Sequence, residues 1–228
     1  MEGDAIIVHR LSVRRTARYC TLGAVDARPR SVWYVLHGYR QLADRFIERF
    51  RSISTPERLI VAPEALNRFY LDDGDGTKVH GPDSPIGATW MTRHDREAEI
   101  ADYVAYLDAL DASLDLAPSA HRIVLGFSQG SQTAARWATL GARPVDRLVL
   151  WGGLFPPDLD VPAYGERIRA LAPVIVRSEQ DESLAPEKVD AEIGRLGALG
   201  VAATAVRHGG GHTIGRDALV ELARVVDP

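Results

Sequence analysis

Short apolar runs alternate with helix-like segments along the chain, and this alternation limits the fold more than any other feature of the sequence. The runs are continuous and most are rich in Val, Ile or Leu, which is typical of strands buried on both faces of a parallel sheet. They lie at 5–9, 32–36, 59–62, 123–125, 148–151, 174–176 and 201–206. Helical periodicity lies at 41–50, 92–110, 131–142, 185–200 and 214–226. The alternation predicts an α/β fold with a mostly parallel central sheet and helices on both faces.

The 228 residues show no break in composition, which predicts a single domain over 1–228. At its start, the stretches 6–8 and 11–20 also suit an antiparallel hairpin at one sheet edge, as an alternative to a first parallel strand. One connection, 64–91, is longer than the others and has no periodic element. Loops of this length in a compact domain are usually functional or disordered. The aromatic residues within it indicate an ordered loop that covers a site.

Composition narrows the class of partner. The net charge is −4, with no long run of one sign, which argues against a nucleic-acid surface. No stretch approaches the ~18 apolar residues that a membrane helix needs, and the first residues do not resemble a signal peptide. The single cysteine, Cys20, excludes an intrachain disulfide and favours a reducing compartment. We therefore expect a cytoplasmic monomer or homodimer that acts on a small molecule, without stable membrane insertion.

A hydroxyl stands between two glycines in the stretch 126–130 (GFSQG), directly after an apolar run and before a helical segment. This context is that of a nucleophile elbow, in which a strained turn holds the serine above the sheet edge and the glycines let neighbouring backbone pass close by. The N-terminus of the following helix also favours a developing oxyanion. We interpret Ser128 as a nucleophile; a structural turn with a buried serine is the alternative.

A serine nucleophile needs a histidine base and an orienting acid, which in this arrangement follow it in the order acid, then histidine. Only His208 and His212 lie far enough beyond Ser128 to follow the acid, between the last apolar run and the last helical segment. We favour His212, because Gly210 and Gly211 directly before it give the backbone freedom to place the ring. His208 is the alternative.

The acid is expected in the loop after the sixth apolar run. Three residues in that loop qualify by type, and Asp181 is favoured for its position within it. Glu179 and Glu182 are the alternatives, and are otherwise interpreted as solvated charges. Asp158 and Asp160 follow the preceding strand and are less favoured.

An oxyanion hole needs two backbone N–H donors. One is expected from Gln129, the residue after the nucleophile. The other is expected from an earlier strand-to-helix loop, and the stretch 37–40 (HGYR) fits, with Tyr39 as the donor. His37 precedes the serine and is interpreted as a structural support of that loop.

Several stretches carry a resemblance to a known family, in the family's order and over most of the chain. They are Leu36-His37-Gly38, Ala62-Pro63, Gly87-Ala88-Thr89-Trp90, GFSQG, Asp181 with Pro186, and Gly211-His212. On these residues the chain resembles the α/β-hydrolases of the phospholipase/carboxylesterase group, which includes acyl-protein thioesterase-like enzymes. The region 68–108 is especially similar to small bacterial esterases. The resemblance implies a Ser128–Asp181–His212 triad and the hydrolysis of carboxylic or thio esters without metal or cofactor.

The chain departs from this family at two places. The family commonly has His-Gly-x-Gly in the oxyanion loop, whereas the fourth residue here is Arg40, which puts the geometry and charge of that loop in question. The acid loop commonly begins with Gly, where Ser178 or Glu179 stands here.

The sequence therefore predicts a serine esterase that acts on carboxylic esters with short acyl chains through an acyl-enzyme intermediate. Phe69, Tyr70 and Trp90 are expected to form the substrate pocket. A thioesterase or lysophospholipase is the alternative among enzymes, ahead of a lactone hydrolase or peptidase, and a non-catalytic hydrolase-fold binding protein is the alternative of another class. The acidic stretch 72–76 lacks the ligand spacing of a calcium loop and predicts a solvated turn.

Overall fold

The computed structural model describes residues 5–23, 28–71 and 79–227. The strands are β1 (Tyr19–Leu22), β2 (Ser31–Leu36), β3 (Arg58–Pro63), β4 (Asn67–Tyr70), β5 (Ile86–Thr89), β6 (His121–Phe127), β7 (Arg147–Trp151), β8 (Val174–Ser178) and β9 (Thr204–His208). The helices are α1 (Ala43–Ile47), α2 (Arg96–Ser113), α3 (Gln129–Leu140), α4 (Gly165–Ala170), α5 (Pro186–Ala198) and α6 (Arg216–Val226). A 3₁₀ segment, Glu48–Ile53, continues α1.

The central sheet has the strand order β1-β3-β2-β6-β7-β8-β9. Every neighbouring pair in it is parallel except β1 with β3. The prediction of a mostly parallel sheet is therefore confirmed. Because the carboxyl ends of parallel strands meet at one edge, the loops after β2, β6, β7, β8 and β9 lie at the same edge.

Two hydrophobic clusters, one on each face of the sheet, form the core. On β2, Val32, Tyr34 and Leu36 pack in the first cluster, which includes residues of α2, α3, α4 and α5. Trp33 and Val35 pack in the second, with residues of α1 and α6. All five side chains are fully buried. Burial on both faces explains why this strand reads as a continuous apolar run.

The N-terminal edge has the antiparallel strand that was expected, but not the hairpin. β1 is an antiparallel edge strand on β3, but residues 5–18 form neither a parallel strand nor the second strand of a hairpin. Ile6 on this segment is 95% exposed. Arg10 pairs instead with Asp95, just before α2. The apolar side chains of this segment are exposed.

The long connection 64–91 also differs, because it contains β4 and β5, which pair antiparallel from Asn67 with Thr89 to Tyr70 with Ile86. Strands of four residues are too short to give a periodic signal. The short helix α4 escaped prediction for the same reason. The acidic stretch 72–76 lies outside the described residues.

None of the helices in the described ranges combines the length and the apolar character needed to cross a bilayer. Over the same ranges, no cluster of three or more His, Cys, Asp or Glu side chains could hold a metal ion. Cys20 lies on β1 as a half-buried free thiol.

Candidate active site

Separate loops bring the predicted site residues to the carboxyl edge of the parallel strands. Tyr39 follows β2, Ser128 follows β6, Asp181 follows β8 and His212 follows β9. In open α/β sheets, this edge is where ligands bind. The fold therefore places residues that are far apart in the chain at one edge.

Ser128 has a backbone conformation that L-amino acids rarely adopt, with φ of 53° and ψ of −118°. Its N–H donates to Trp151 O at 2.8 Å, which ties the turn to the end of β7. Strain of this kind costs about 1–3 kcal/mol and persists only where the surroundings enforce it. The strand, strained turn and helix around Ser128 have the geometry of a nucleophile elbow.

Close backbone packing requires the two glycines that flank this turn. A Cβ on Gly126 would lie 2.1 Å from Gly130 O, and a Cβ on Gly130 would lie 2.3 Å from Leu36 O. Both obstacles are backbone atoms, which cannot move without displacing a strand or helix. The glycines therefore allow α3 to begin directly against β2 and β6.

His212 and Asp181 form a hydrogen-bonded pair, with Nδ1 2.7 Å from Oδ2. Ser183 joins them: its hydroxyl donates to Asp181 Oδ1, and its Oγ lies 3.0 Å from His212 Nδ1. The Ser183 N–H also donates to Asp181 Oδ1, at 2.9 Å. Because a proton on Nδ1 serves the carboxylate, Nε2 is left as the proton-accepting nitrogen.

The environment of Asp181 favours its ionised form. Burial raises the pKa of this carboxyl group, but hydrogen bonds from Ser183 and His212 outweigh burial, so the pKa lies below its ordinary value. An ionised carboxylate on Nδ1 can orient the imidazole and stabilise its protonated form.

Contacts with neighbouring loops hold the histidine loop in place. Trp151 Nε1 donates to Thr213 O at 3.1 Å, one residue beyond His212. Gly210 O accepts from Gln180 N at 3.1 Å and from the Ser178 hydroxyl. The end of β7 and the loops after β8 and β9 are therefore joined.

Gly152, directly after β7, leaves room for the histidine–aspartate pair. Its φ is 64°, and a Cβ there would lie 3.0 Å from His212 Cε1 and 3.5 Å from Asp181 Oδ2. A side chain at this position would be strained and would press on the imidazole.

Phe127 lies between the serine turn and the histidine. Its ring centroid is 4.9 Å from that of His212, and Ser128 is the next residue. The described residues include no hydrogen bond between Ser128 and His212. Phe127, the residue before Ser128, thus connects the serine turn to the His212 ring.

The loop after β2 lies against the serine. A Cβ on Gly38 would be 3.2 Å from Ser128 Cβ. In the part of the chain that the structure describes, the backbone N–H groups of Tyr39 and Gln129 donate to no acceptor. These groups, predicted as oxyanion donors, are available to a ligand oxygen.

Arg40, where the resembled family has glycine, has a φ of 68°. The residue thus keeps the left-handed conformation that glycine adopts at little cost. Arg40 N donates to Ala88 O at 2.9 Å, and Ala88 N donates to Gln41 O at 3.2 Å. A Cβ on Gly87 would lie 2.6 Å from Arg40 O. Strand β5 therefore supports this loop through close backbone contact.

His37 has a structural environment, as predicted. It is fully buried, its Nδ1 lies 2.8 Å from Gly38 O, and its Nε2 accepts from Ala65 N at 3.0 Å. Burial lowers its pKa to about 4, although the bond to Gly38 O raises it in part. His37 is therefore neutral, and both of its ring nitrogens have hydrogen-bond partners.

The predicted pocket residues have different surroundings. Trp90, contrary to the expectation of a pocket wall, is 1% exposed and packs in the core, where its Nε1 donates to His37 O at 2.8 Å. Phe69 is half-buried and stacks on Tyr39, with centroids 5.5 Å apart. Tyr70 is exposed and stacks on His80 at 4.0 Å. Phe69 and Trp90 therefore both contact the loop after β2.

The alternative acids and the alternative base lie apart from the Asp181–His212 pair. Glu179 and Glu182 are exposed, Asp158 pairs with two arginines, and Asp160 Oδ1 accepts from a nearby backbone N–H. The His208 ring packs against a tryptophan of β7, and its Nδ1 lies 2.6 Å from Gly209 O.

Three features of the site were not predicted from the sequence. Ser183 is two residues beyond Asp181, the spacing of an Asx turn, which was an available signal. Gly152 directly follows an apolar run but carried no specific pattern. The Gln129 side chain binds the two residues that follow β5. Its Nε2 donates to Met91 O at 3.0 Å, and its Oε1 accepts from Trp90 N at 3.2 Å.

Several solved structures share this architecture over nearly the whole chain. Esterase PE8 is 23% identical over 93% of this chain and 100% of its own, with a TM-score of 0.67. Acyl-protein thioesterase 2 of Zea mays is 14% identical over 92% of this chain and 97% of its own, with a TM-score of 0.70. A carboxylesterase of Mesorhizobium loti is 20% identical over 93% and 95%, with a TM-score of 0.67.

The chain thus has the α/β-hydrolase fold, as the resemblance implied. The solved structures named above are two esterases and a thioesterase. No protein-family model matches the chain, and a comparison with curated proteins finds no match.

Proposed function

We propose that this protein is a serine esterase, in which Ser128 attacks the ester, His212 acts as the base and Asp181 orients His212. The observation that carries the proposal is the strained turn at Ser128 beside a hydrogen-bonded Asp181–His212 pair. Backbone strain costs free energy and clusters at functional sites, and a carboxylate with a lowered pKa that is paired with a histidine is typical of a catalytic site. The esterases among the similar structures support the same reaction class.

In the proposed reaction, each group has one role. His212 Nε2 takes the proton from Ser128 Oγ as the oxygen attacks the ester carbonyl. The N–H groups of Tyr39 and Gln129 stabilise the oxyanion of the tetrahedral intermediate. The protonated His212 then gives its proton to the leaving alcohol, which leaves an acyl-enzyme on Ser128. Water, activated by His212, releases the acid and restores the serine.

The segment 64–91 contributes to this site in the proposal. Its strand β5 supports the oxyanion loop through Ala88, and Phe69 stacks on Tyr39. We propose that Phe69 borders the acyl group and that the substrates have short acyl chains. A thioester substrate is the second candidate, favoured by the similarity to an acyl-protein thioesterase. A single domain over 1–228, a monomeric or homodimeric state and a cytoplasmic location stay predictions.

The first test is Ser128→Ala, assayed with p-nitrophenyl esters of increasing chain length and with an acyl-CoA. We expect ester turnover to fall by roughly 10⁴-fold or more, because the nucleophile is lost. Ser119→Ala, at an exposed serine on the opposite edge of the sheet, is the matched control and should retain activity. Retained turnover by Ser128→Ala would exclude Ser128 as the nucleophile.

A fluorophosphonate probe separates the enzyme from a non-catalytic binding protein with the same fold. We expect labelling of Ser128 in the native protein and none after replacement of His212 by Ala. A native protein that folds, yet shows neither labelling nor ester turnover, would favour the binding protein.

A further inference from the structure

A cavity of about 260 Å³ begins at the residue after Ser128 and follows α3. On the α3 side it is lined by Gln129, Gln132 and Arg136, which share one helix face at spacings of three and four. Gln129 and Arg136 are seven residues apart, so the cavity extends roughly 10 Å along the helix at 1.5 Å per residue. Gln129, whose backbone N–H is a proposed oxyanion donor, lines one end of the cavity, which therefore begins one residue from Ser128 in the chain.

The opposite wall comes from the segment that follows β5 and from the first turn of α2. It includes Met91, Arg93 and Arg96. With Arg136 on α3, the described cavity wall holds three guanidinium groups and no carboxylate. A wall of this composition has a positive potential toward its interior.

The carboxylates that face these arginines from neighbouring elements neutralise only part of this charge. Asp158 lies behind the wall, with Oδ2 2.6 Å from Arg96 Nη2 and Oδ1 2.8 Å from Arg136 Nη2. Glu97, on the exposed side, has Oε1 2.9 Å from Arg96 Nη1. A third carboxylate, that of Glu99, accepts from the N–H of Thr92 in the wall. Arg96 and Arg136 are therefore paired, whereas the ion pairs within the described residues include none to Arg93.

Two buried polar atoms on this wall lack a partner. Arg136 Nε and Thr133 Oγ1 form no hydrogen bond, although the two residues are only 2% and 1% exposed. An unsatisfied buried polar group costs about 1–3 kcal/mol. Met91 Sδ lies 3.5 Å from Arg136 Nη1 and covers this guanidinium. Because a methionine side chain is flexible, a ligand can displace it and reach the arginine.

We infer that this cavity binds a carboxylate on the substrate, so that the preferred esters carry a negative charge a few bonds from the scissile carbonyl. The inference rests on the proposed esterase function and specifies its substrate class. Arg93 is the accessible donor, because its side chain is exposed. Its guanidinium fork matches a carboxylate. Gln132, at the same wall, offers a neutral donor. The carboxylate supplies the counter-charge that Arg93 lacks among the described ion pairs.

The test compares anionic with neutral esters of similar size. Mono-p-nitrophenyl glutarate places the carboxylate on the acyl side, and the butyrate ester of 5-hydroxy-2-nitrobenzoate places it on the alcohol side. Neutral p-nitrophenyl butyrate is the reference. We expect a lower KM for at least one anionic ester than for the reference, and added salt should raise only the anionic KM.

Arg93→Gln is the diagnostic variant, with Arg224→Gln on the exposed face of α6 as the matched control. We expect Arg93→Gln to raise the KM for the preferred anionic ester about fivefold, because one exposed charge-assisted contact is lost. In Arg93→Gln, the kcat values for both ester types and the KM for the neutral ester should stay close to those of the native protein. Arg224→Gln should match the native protein. Equal KM values for neutral and anionic esters in the native protein would overturn the inference, as would an Arg93→Gln effect that is absent or the same for both ester types.

Calorimetric titration with glutarate separates this inference from the proposed function. We expect native protein and Ser128→Ala to bind glutarate and Arg93→Gln to bind it at least several-fold more weakly. Glutarate binding that depends on Arg93, without any ester turnover, would retain the cavity site and reject the esterase. Ester turnover without binding of glutarate would retain the esterase and reject the cavity site.

Discussion

The two sides of the candidate site are held by different kinds of contact. On the serine side, β2, β6 and α3 fix Ser128 by backbone packing, with no space for a Cβ at Gly126 or Gly130. On the histidine side, loops after β8 and β9 hold Asp181 and His212 through side-chain hydrogen bonds near solvent. The first side is part of the sheet and core, whereas the second is attached to it.

This difference determines what a substitution should damage. A change on the serine side has to move a strand or a helix, so it should affect folding and activity together. A change on the histidine side alters the position or the charge of one side chain, so it should cost less stability than a change on the serine side. Three substitutions, from the largest expected effect to the smallest, test this contrast.

Gly130→Ala should have the largest effect. The added Cβ would lie 2.3 Å from Leu36 O and 2.7 Å from His37 O, so α3 would be forced away from β2. We expect the free energy of unfolding to fall by about 3 kcal/mol, measured by urea unfolding, with loss of ester turnover. Gly194→Ala, on α5 with nothing within 4 Å of its Cβ, is the control and should be stabilised by about 0.5–1 kcal/mol. Equal stability of the two variants would contradict the packing argument.

Gly152→Ala should affect activity more than stability. Its Cβ would press on the His212 ring from 3.0 Å at a φ of 64°, and the imidazole would turn away from the serine. We expect kcat/KM to fall roughly 10–100-fold, because small displacements of a catalytic group have effects of this size. The cost in stability should be about 1–2 kcal/mol. Gly211→Ala, beside His212 in open space, should retain activity. A loss of the same size in both variants would show that this loop is sensitive in general.

Ser183→Ala should have the smallest effect, and the loss of stability that it causes should depend on pH. It removes a hydrogen bond that lowers the pKa of Asp181, and we expect a stability loss of about 1 kcal/mol at pH 7. A folded-state pKa below the unfolded value gives a stabilisation that is present above the unfolded pKa, about 3.9. It is lost as the pH falls through the folded-state pKa. The difference between native protein and variant should therefore vanish in acid.

Urea unfolding of both proteins from pH 7 to pH 2.5 measures this difference. Ser183→Thr keeps the hydroxyl and should restore most of the stability that Ser183→Ala loses. A loss that is constant with pH would show that Ser183 acts through packing alone.

The sequence predicted the serine side better than the rest of the site. GFSQG after an apolar run fixes a local turn, and local turns depend on residues adjacent in the chain. His212 and Asp181 were reached through the order of residues along the chain and through the family resemblance. Ser183 and Gly152 were missed because their roles depend on loops that approach each other only in the folded chain. Trp90 was assigned to the pocket because aromatic residues in a long loop suit either a wall or the core.

The sequence by itself determined the parallel α/β architecture and the strained turn, because continuous apolar runs and flanking glycines act through periodicity and local sterics. The tertiary structure decided which carboxylate meets His212, that Trp90 supports the loop after β2 through His37, and that three arginines line one cavity with Gln129. Each of these depends on the packing of elements distant in the chain. Their mutual distances are set by the twist and order of the sheet, which no local pattern encodes.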